Sequence, residues 1–215
     1  MKWMAIACTA ENDVLASDDS LPLVESACLN DFRAITRIYS IEEDEANELK
    51  NGNLNFRIAF QGPRSTKLVS HNKSEELDIL SKTLQSRVNL INELYHRISH
   101  GFKRFEPVVN WQHEAYEEKY KQALKVIETD QWLLGNFRNS DDIGLVADYA
   151  DESGLTIIVA ASLIINKYHN RKFLVRKLER LRIRHQIAIR NADNKEDFDK
   201  CRAAMDEDAF LSMMM

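Results

Sequence analysis

The sequence predicts an α+β protein, mostly α, with a small N-terminal α/β unit followed by long helices packed as a hairpin or bundle of coiled-coil character. Three observations carry this. Gly and Pro number only 6 and 3 in 215 residues, too few for the turns of a large all-β chain. Alternating apolar and polar residues occur only near the N-terminus, and helical spacing takes over after residue 74. With 44% hydrophobic and 29% charged residues, the chain can bury a core and still present long solvated helix faces. The expected division is a small α/β domain over 1–70 and a helical domain over 74–215.

Residues 3–8 read as a strand, and 13–30 as mixed loop punctuated by Pro22. Residues 32–39 alternate, with Phe32, Ala34, Thr36 and Ile38 on one side. Leu54, Phe56, Ile58 and Phe60 share a face of a further strand. Between these strands, Ser40 and Glu43 have the spacing of a capping box, in which hydroxyl and carboxylate satisfy free backbone N–H groups. The helix it opens, over 41–50, ends at Asn51 and Gly52. Residues 64–73 read as a polar connector.

Ser74 caps the first long helix, 74–100, with Glu75 and Glu76 in the turn where the helix dipole favours acids. Leu77, Leu84, Ile91 and Ile98 recur every seven residues, as in a coiled-coil seam that binds a partner. Leu80 and Leu94 hold the second seam position, and Arg87 interrupts it. Past Pro107 a helix over 111–129 carries Tyr116, Tyr120, Ala123 and Ile127 on one face, and 132–135 reads as its buried end. Ser140, Asp141 and Asp142 have the chemistry to cap a short helix through Ala150, which Ser153 and Gly154 end.

Thr156 caps the last long helix, which continues to residue 191, roughly 35 residues or about 50 Å. Its start is Ala/Ile-rich. Farther on, Leu174, Leu178, Leu181, Ile187 and Ala188 lie near one stripe among Arg and Lys. So long a helix exceeds a small globule, so its far end is expected against another helix or another chain. Residues 194–208 read as acidic and weakly helical, and Met213, Met214 and Met215 as mobile or partner-bound.

The net charge of −5 conceals an asymmetry: residues 167–190 hold nine Lys or Arg against Glu179, a local +8 that leaves −13 on the rest. Such a helix can neutralise phosphates while Tyr168, His169 and Phe173 stack on bases, which makes nucleic acid the alternative partner. A basic face that meets acidic protein surface outweighs that reading. The residues chosen as partner-binding are therefore Leu77, Leu84, Ile91, Ile98, Arg171, Leu174, Arg176, Leu178, Arg180, Leu181 and Arg184, and a homo-oligomer is one form the contact can take.

Catalytic and metal chemistry finds little support. Glu93, His96 and His100 share a helix face at ligand-like spacing, but a basic His in a last helical turn already suits the dipole. Asp18–Asp19 and Asp141–Asp142 sit where Asp ordinarily serves loops and caps, and nothing supplies a nucleophile with an orienting partner. No glycine-rich phosphate loop occurs. Cys8, Cys28 and Cys201 are odd in number and far apart, which points to a reducing compartment. The expectation is no enzyme, no metal and no cofactor. No membrane association is expected either, because the apolar run 155–165 falls short of a span and residues 1–10 lack a signal-peptide core.

One stretch carries a family resemblance. In 148–192, Ser153-Gly154-Leu155-Thr156 leads into the run from Ala160 to Lys167, then Glu179-Arg180-Leu181-Arg182 and Ile187. This resembles the C-terminal region of tailed-bacteriophage tail and tail-fibre assembly proteins. There a Gly-Leu-Ser/Thr turn precedes an Ala/Ile-rich helix that passes through an aromatic segment and a Glu-x-x-Arg stretch. The N-terminal unit, with Asn53-Leu54-Asn55-Phe56-Arg57-Ile58 after an acidic helix, is similar more loosely. The present helix is more basic, and helix 74–100 is an addition. The resemblance implies a non-enzymatic protein that binds tail, fibre or baseplate chains, as an assembly chaperone or a virion adaptor. It would act in the host cytoplasm during assembly, with a place in the virion tail as a further outcome.

Overall fold

The computed structural model describes residues 1–60, 66–103, 110–129 and 142–208. The fold is α+β and mostly helical. In order, the elements are β1 (Lys2–Cys8), β2 (Val14–Asp18), α1 (Leu21–Cys28), β3 (Ile35–Ile41), α2 (Glu43–Lys50), β4 (Phe56–Phe60) and β5 (Thr66–Ser70), then α3 (Glu75–Lys103), α4 (Asn110–Glu128), α5 (Gly144–Glu152), α6 (Ile157–Arg190) and α7 (Lys195–Glu207). The chain forms two compact units, one of Met1–His100 with Leu181–Met215 and one of Gly101–Arg180. This differs from the expected division of 1–70 from 74–215, because side chains of α3 and of the end of α6 reach back to the N-terminal elements.

In the first unit β1 is central, with antiparallel β2 and β3 on its flanks. Alternation sends Met4, Ile6 and Cys8 to one face, where they join Val14, Tyr39 and Ile41 with Ala46 and Leu49 of α2, Leu54 ahead of β4, and Ile58 and Leu68 of the β4–β5 hairpin. The other face is small: Ala5 and Ala7 pair with Asp18 and Ala16 on β2 and with Ile38 and Thr36 on β3. Ala5, Ala7 and Ala16 are all buried, with Leu23, Val24 and Ala27 of α1. Asp13, 1% exposed, is held by Arg57 Nε at 2.9 Å and lies 3.3 Å from His71 Nε2, which fixes the β1–β2 turn against the hairpin.

Gln85 and Arg87 are among the side chains that bind α3 to this unit. Ser17 lies on the edge strand β2; its N–H donates to Gln85 Oε1 at 3.0 Å, and Gln85 Nε2 donates back to Ser17 O at 3.2 Å. The amide thus imitates a neighbouring strand and closes that edge. Arg87, 5% exposed, donates to Asp31, to Asp193 Oδ1 at 2.6 Å and to the Ala192 carbonyl at 3.1 Å. The residue that interrupts the heptad is the hub of an ion cluster. At the far end of α6, Arg190 donates to the Ser26 carbonyl at 3.0 Å and its hydroxyl at 2.6 Å, and Gln186 donates to the same hydroxyl.

Several local expectations are corrected. Residues 13–30 hold β2 and α1 rather than loop. Pro22 lies in the first turn of α1, where its missing N–H has no helical acceptor to lose. The second strand runs over Ile35–Ile41 instead of 32–39, because turns closed by Asp31 N–H to Cys28 O and Ala34 N–H to Asp31 O occupy its expected start. Ser40 and Ile41 stay in that strand. The capping box that opens α2 is Glu42 with Glu45, two residues later than expected. The expected polar connector contains β5, paired antiparallel with β4. Residues 194–208 form a full helix, with Asn194 Oδ1 accepting from Asp197 N–H at 3.0 Å and Phe198 and Met205 buried. Gly52 and Gly154 have φ of +86° and +65°, in the left-handed region suited to the chain reversals expected there. The expectations for 132–135, Ser140, Asp141 and Met213–Met215 lie outside the described residues.

The second unit packs α4, α5 and the first part of α6. Ala123 and Val126 meet Ile143, Val146 and Ala150, and Ala160, Ala161 and Ile164. Small residues on α6 let the helices approach closely. Gln122 Oε1 accepts from Leu145 N–H at 2.9 Å, and Lys125 pairs with Asp142 at 2.6 Å, which sets the start of α5. Thr156 Oγ1 accepts from Val159 N–H at 3.4 Å at the start of α6.

Candidate functional site

The apolar seam chosen on α3 is not a free surface. Leu84, Ile91 and Ile98 are 0%, 0% and 3% exposed, and Leu77 is half-buried. Leu84, Ile91 and Ile98 belong to the chain's own core, a correction to their assignment as partner-binding. Leu178 and Leu181, at 0% and 8%, are buried as well, and Leu174 is half-buried. A heptad reports that a helix face is buried; it does not report whether the facing helix comes from the same chain.

The cations of α6 divide in the same way. In the first unit Arg184 is bonded to Asp208, and Arg182 donates to Tyr95 Oη at 3.0 Å and Gln186 Oε1 at 2.6 Å. In the second, Lys167 donates to Tyr149 Oη at 3.2 Å, and Lys172 lies 3.6 Å from Glu117. Arg171, Arg176 and Arg180 have no ionic or hydrogen-bonded side-chain partner among the described residues. Arg176 and Arg180 are exposed and Arg171 is half-buried.

Around these arginines the second unit presents one face of α6. With Ala160, Ala161 and Ile164 turned inward, a 3.6-residue period places Val159, Leu163, Phe173 and Arg180 outward. Val159, Leu163 and Phe173 are 45%, 39% and 66% exposed, high for residues of this type. Phe173 is the largest of them, and Arg176 and Arg180 follow it at i+3 and i+7 on neighbouring turns.

The flank of this face is tied down by ring and hydrogen-bond contacts. Tyr168 stacks on Tyr120 with centroids 3.8 Å apart and donates to Glu117 Oε1 and Oε2 at 3.0 and 2.9 Å. His169 stands edge-on to Tyr120. Lys119 and Lys167 lie over the Tyr149 ring at 5.2 and 5.5 Å, and the Lys167 ammonium holds the Tyr149 hydroxyl below its ordinary pKa. Two of the three aromatics considered as base-stacking platforms are thus engaged in packing, while Phe173 remains open.

Of the groups weighed for chemistry, Glu93 is paired with Arg97 at 2.5 Å and with Arg202 at 3.4 Å. Among the described residues no cluster of three or more His, Cys, Asp or Glu has the geometry to hold a metal ion. Cys8 and Cys28 are buried, and burial pushes the Cys28 thiol up to about 12. Among the described residues no helix is long and apolar enough to cross a membrane. No family model matches the chain, and neither the curated proteins nor the solved structures include a significant match.

Proposed function

We propose that the chain is a non-enzymatic docking protein that binds an acidic, helix-bearing protein partner through the outward face of α6 in the second unit. The observation that carries this reading is Phe173, 66% exposed, beside Arg176 and Arg180, which lack carboxylate partners among the described residues. An exposed aromatic next to arginines is the composition of an interface anchor. Uncompensated charge adds orientation and choice of partner. The resemblance of 148–192 supports a finer reading, in which the partner is a tail, fibre or baseplate chain of a tailed bacteriophage and the protein acts as assembly chaperone or virion adaptor.

The test compares the full chain with a variant carrying Phe173→Asp, Arg176→Glu and Arg180→Glu in titrations against purified tail, fibre and baseplate chains and against a DNA duplex. A saturable protein complex weakened at least about a hundredfold by the variant supports the reading. Equal binding by the two forms overturns it. DNA binding with a steep salt dependence, lost in the variant, replaces it with the nucleic-acid reading.

A further inference from the structure

A cleft in the first unit, independent of the α6 face, has its own chemistry. It has a volume of about 350 Å³ and lies between α3 and α7. The two helices run alongside each other in the same direction: Glu93 pairs with Arg202, and four residues on Arg97 pairs with Asp206 at 2.7 Å. That end of the seam is closed by opposite charges. At the other end, Lys82 of α3 and Lys195 of α7 line the cleft, whose lining also includes Arg202, the partner of Glu93. Both lysines are exposed and neither has a carboxylate or hydrogen-bond partner among the described residues.

The position of Lys195 is itself unusual. It is the first residue of α7, where the helix dipole disfavours a cation and favours an anion. Glu196 and Asp197, the acids of that turn, lie outside the lining and face Lys200, at 2.8 and 3.9 Å. Neutral donors complete the wall: Thr83, Ser86 and Asn89 contribute two hydroxyls and an amide, and the Asn89 carbonyl oxygen accepts from Gln85 at 3.1 Å, so its NH₂ is turned elsewhere. Leu90 and Phe198 supply apolar lining.

We propose that this cleft binds a small organic phosphate, with the phosphate between Lys82 and Lys195 and the organic body against Leu90 and Phe198. The volume suits a small molecule. Two ammonium groups in one lining, with hydroxyl and amide donors, suit a phosphate group. Asp199, on the same wall, accepts a hydroxyl or amine of the organic body.

The probe is phenyl phosphate, titrated into the full chain by calorimetry, with inorganic phosphate and a short DNA duplex alongside. Saturable binding of phenyl phosphate is expected, tighter than that of inorganic phosphate. Lys82→Gln and Lys195→Gln should each weaken it about tenfold. Because both lysines are exposed, the variants should unfold at the same temperature as the parent, which a thermal melt checks. No saturable binding, or binding unchanged in the double variant, overturns the proposal. Binding of the duplex through these lysines without binding of phenyl phosphate also overturns it.

Discussion

At the scale of single residues, Arg87 and Arg33 make contrasting ion pairs. The Arg87 side chain is 6% exposed and the Asp31 side chain 19%, so removing the guanidinium strands a carboxylate and the Ala192 carbonyl in poorly solvated surroundings. Arg87→Ala should cost about 3 kcal/mol in urea unfolding. Arg33→Ala, which breaks a pair with Glu76 whose side chains are 41% and 72% exposed, should stay within about 0.5 kcal/mol. His185 gives a pH signature. Burial, with Arg184 beside it, lowers its pKa from 6.5 despite Asp208, and Arg97 adds to the lowering. The native state then binds fewer protons than the unfolded chain, so stability falls as pH drops through about 6.5 and levels off below the folded pKa. Urea midpoints between pH 7 and 5 should show this slope, and His185→Gln should flatten it. None of these roles was legible beforehand. Sequence spacing shows Arg87 as an interruption, because its partners Asp31 and Asp193 come from distant parts of the chain.

At the scale of elements, what was legible followed from periodicity and caps. The strand over 3–8 and the long helices after Ser74 and Thr156 announced themselves through repeated burial on one face and through end signals. The missed strands lack the clean alternation that revealed β4, a strand of the same length. β2 and β5 have five residues each, and β2 is Val-Leu-Ala-Ser-Asp, with a short apolar stretch and a polar end. α7 is stabilised by Asn194, by Phe198 and Met205, and by ion pairs to α3, and only the first of these is local. The edge of β2 yields an element-scale prediction. Gln85→Ala leaves the Ser17 N–H and C=O without the amide that pairs them, and Ser17 is 4% exposed. A loss of about 2 kcal/mol is expected, with faster amide exchange at Ser17 as the local readout.

At the scale of the whole molecule, the sequence correctly shows a mostly helical chain behind a small sheet, but not how its surfaces are shared out. Helical periodicity marked Leu84, Ile91, Leu178 and Leu181 as apolar and faced, and it could not tell a facing helix of the same chain from that of another. The open face lies instead with Val159, Leu163 and Phe173, and beside it Arg171, Arg176 and Arg180 have no ionic partner among the described residues. Phe173 was visible in the sequence as one of three aromatics on the basic helix. Its exposure follows from Tyr168 turning inward onto Tyr120.

The central claim is that this face of α6 docks a protein, and photo-crosslinking tests it most directly. A photoreactive amino acid is placed at position 173 of the full chain in phage-infected cells, with a second version at the exposed Glu43 as reference. A discrete adduct is expected from position 173 with one acidic tail, fibre or baseplate chain, absent from position 43 and lost when Arg176→Glu and Arg180→Glu are added. Adducts that are the same from both positions, or that form from position 173 only with nucleic acid, would contradict it.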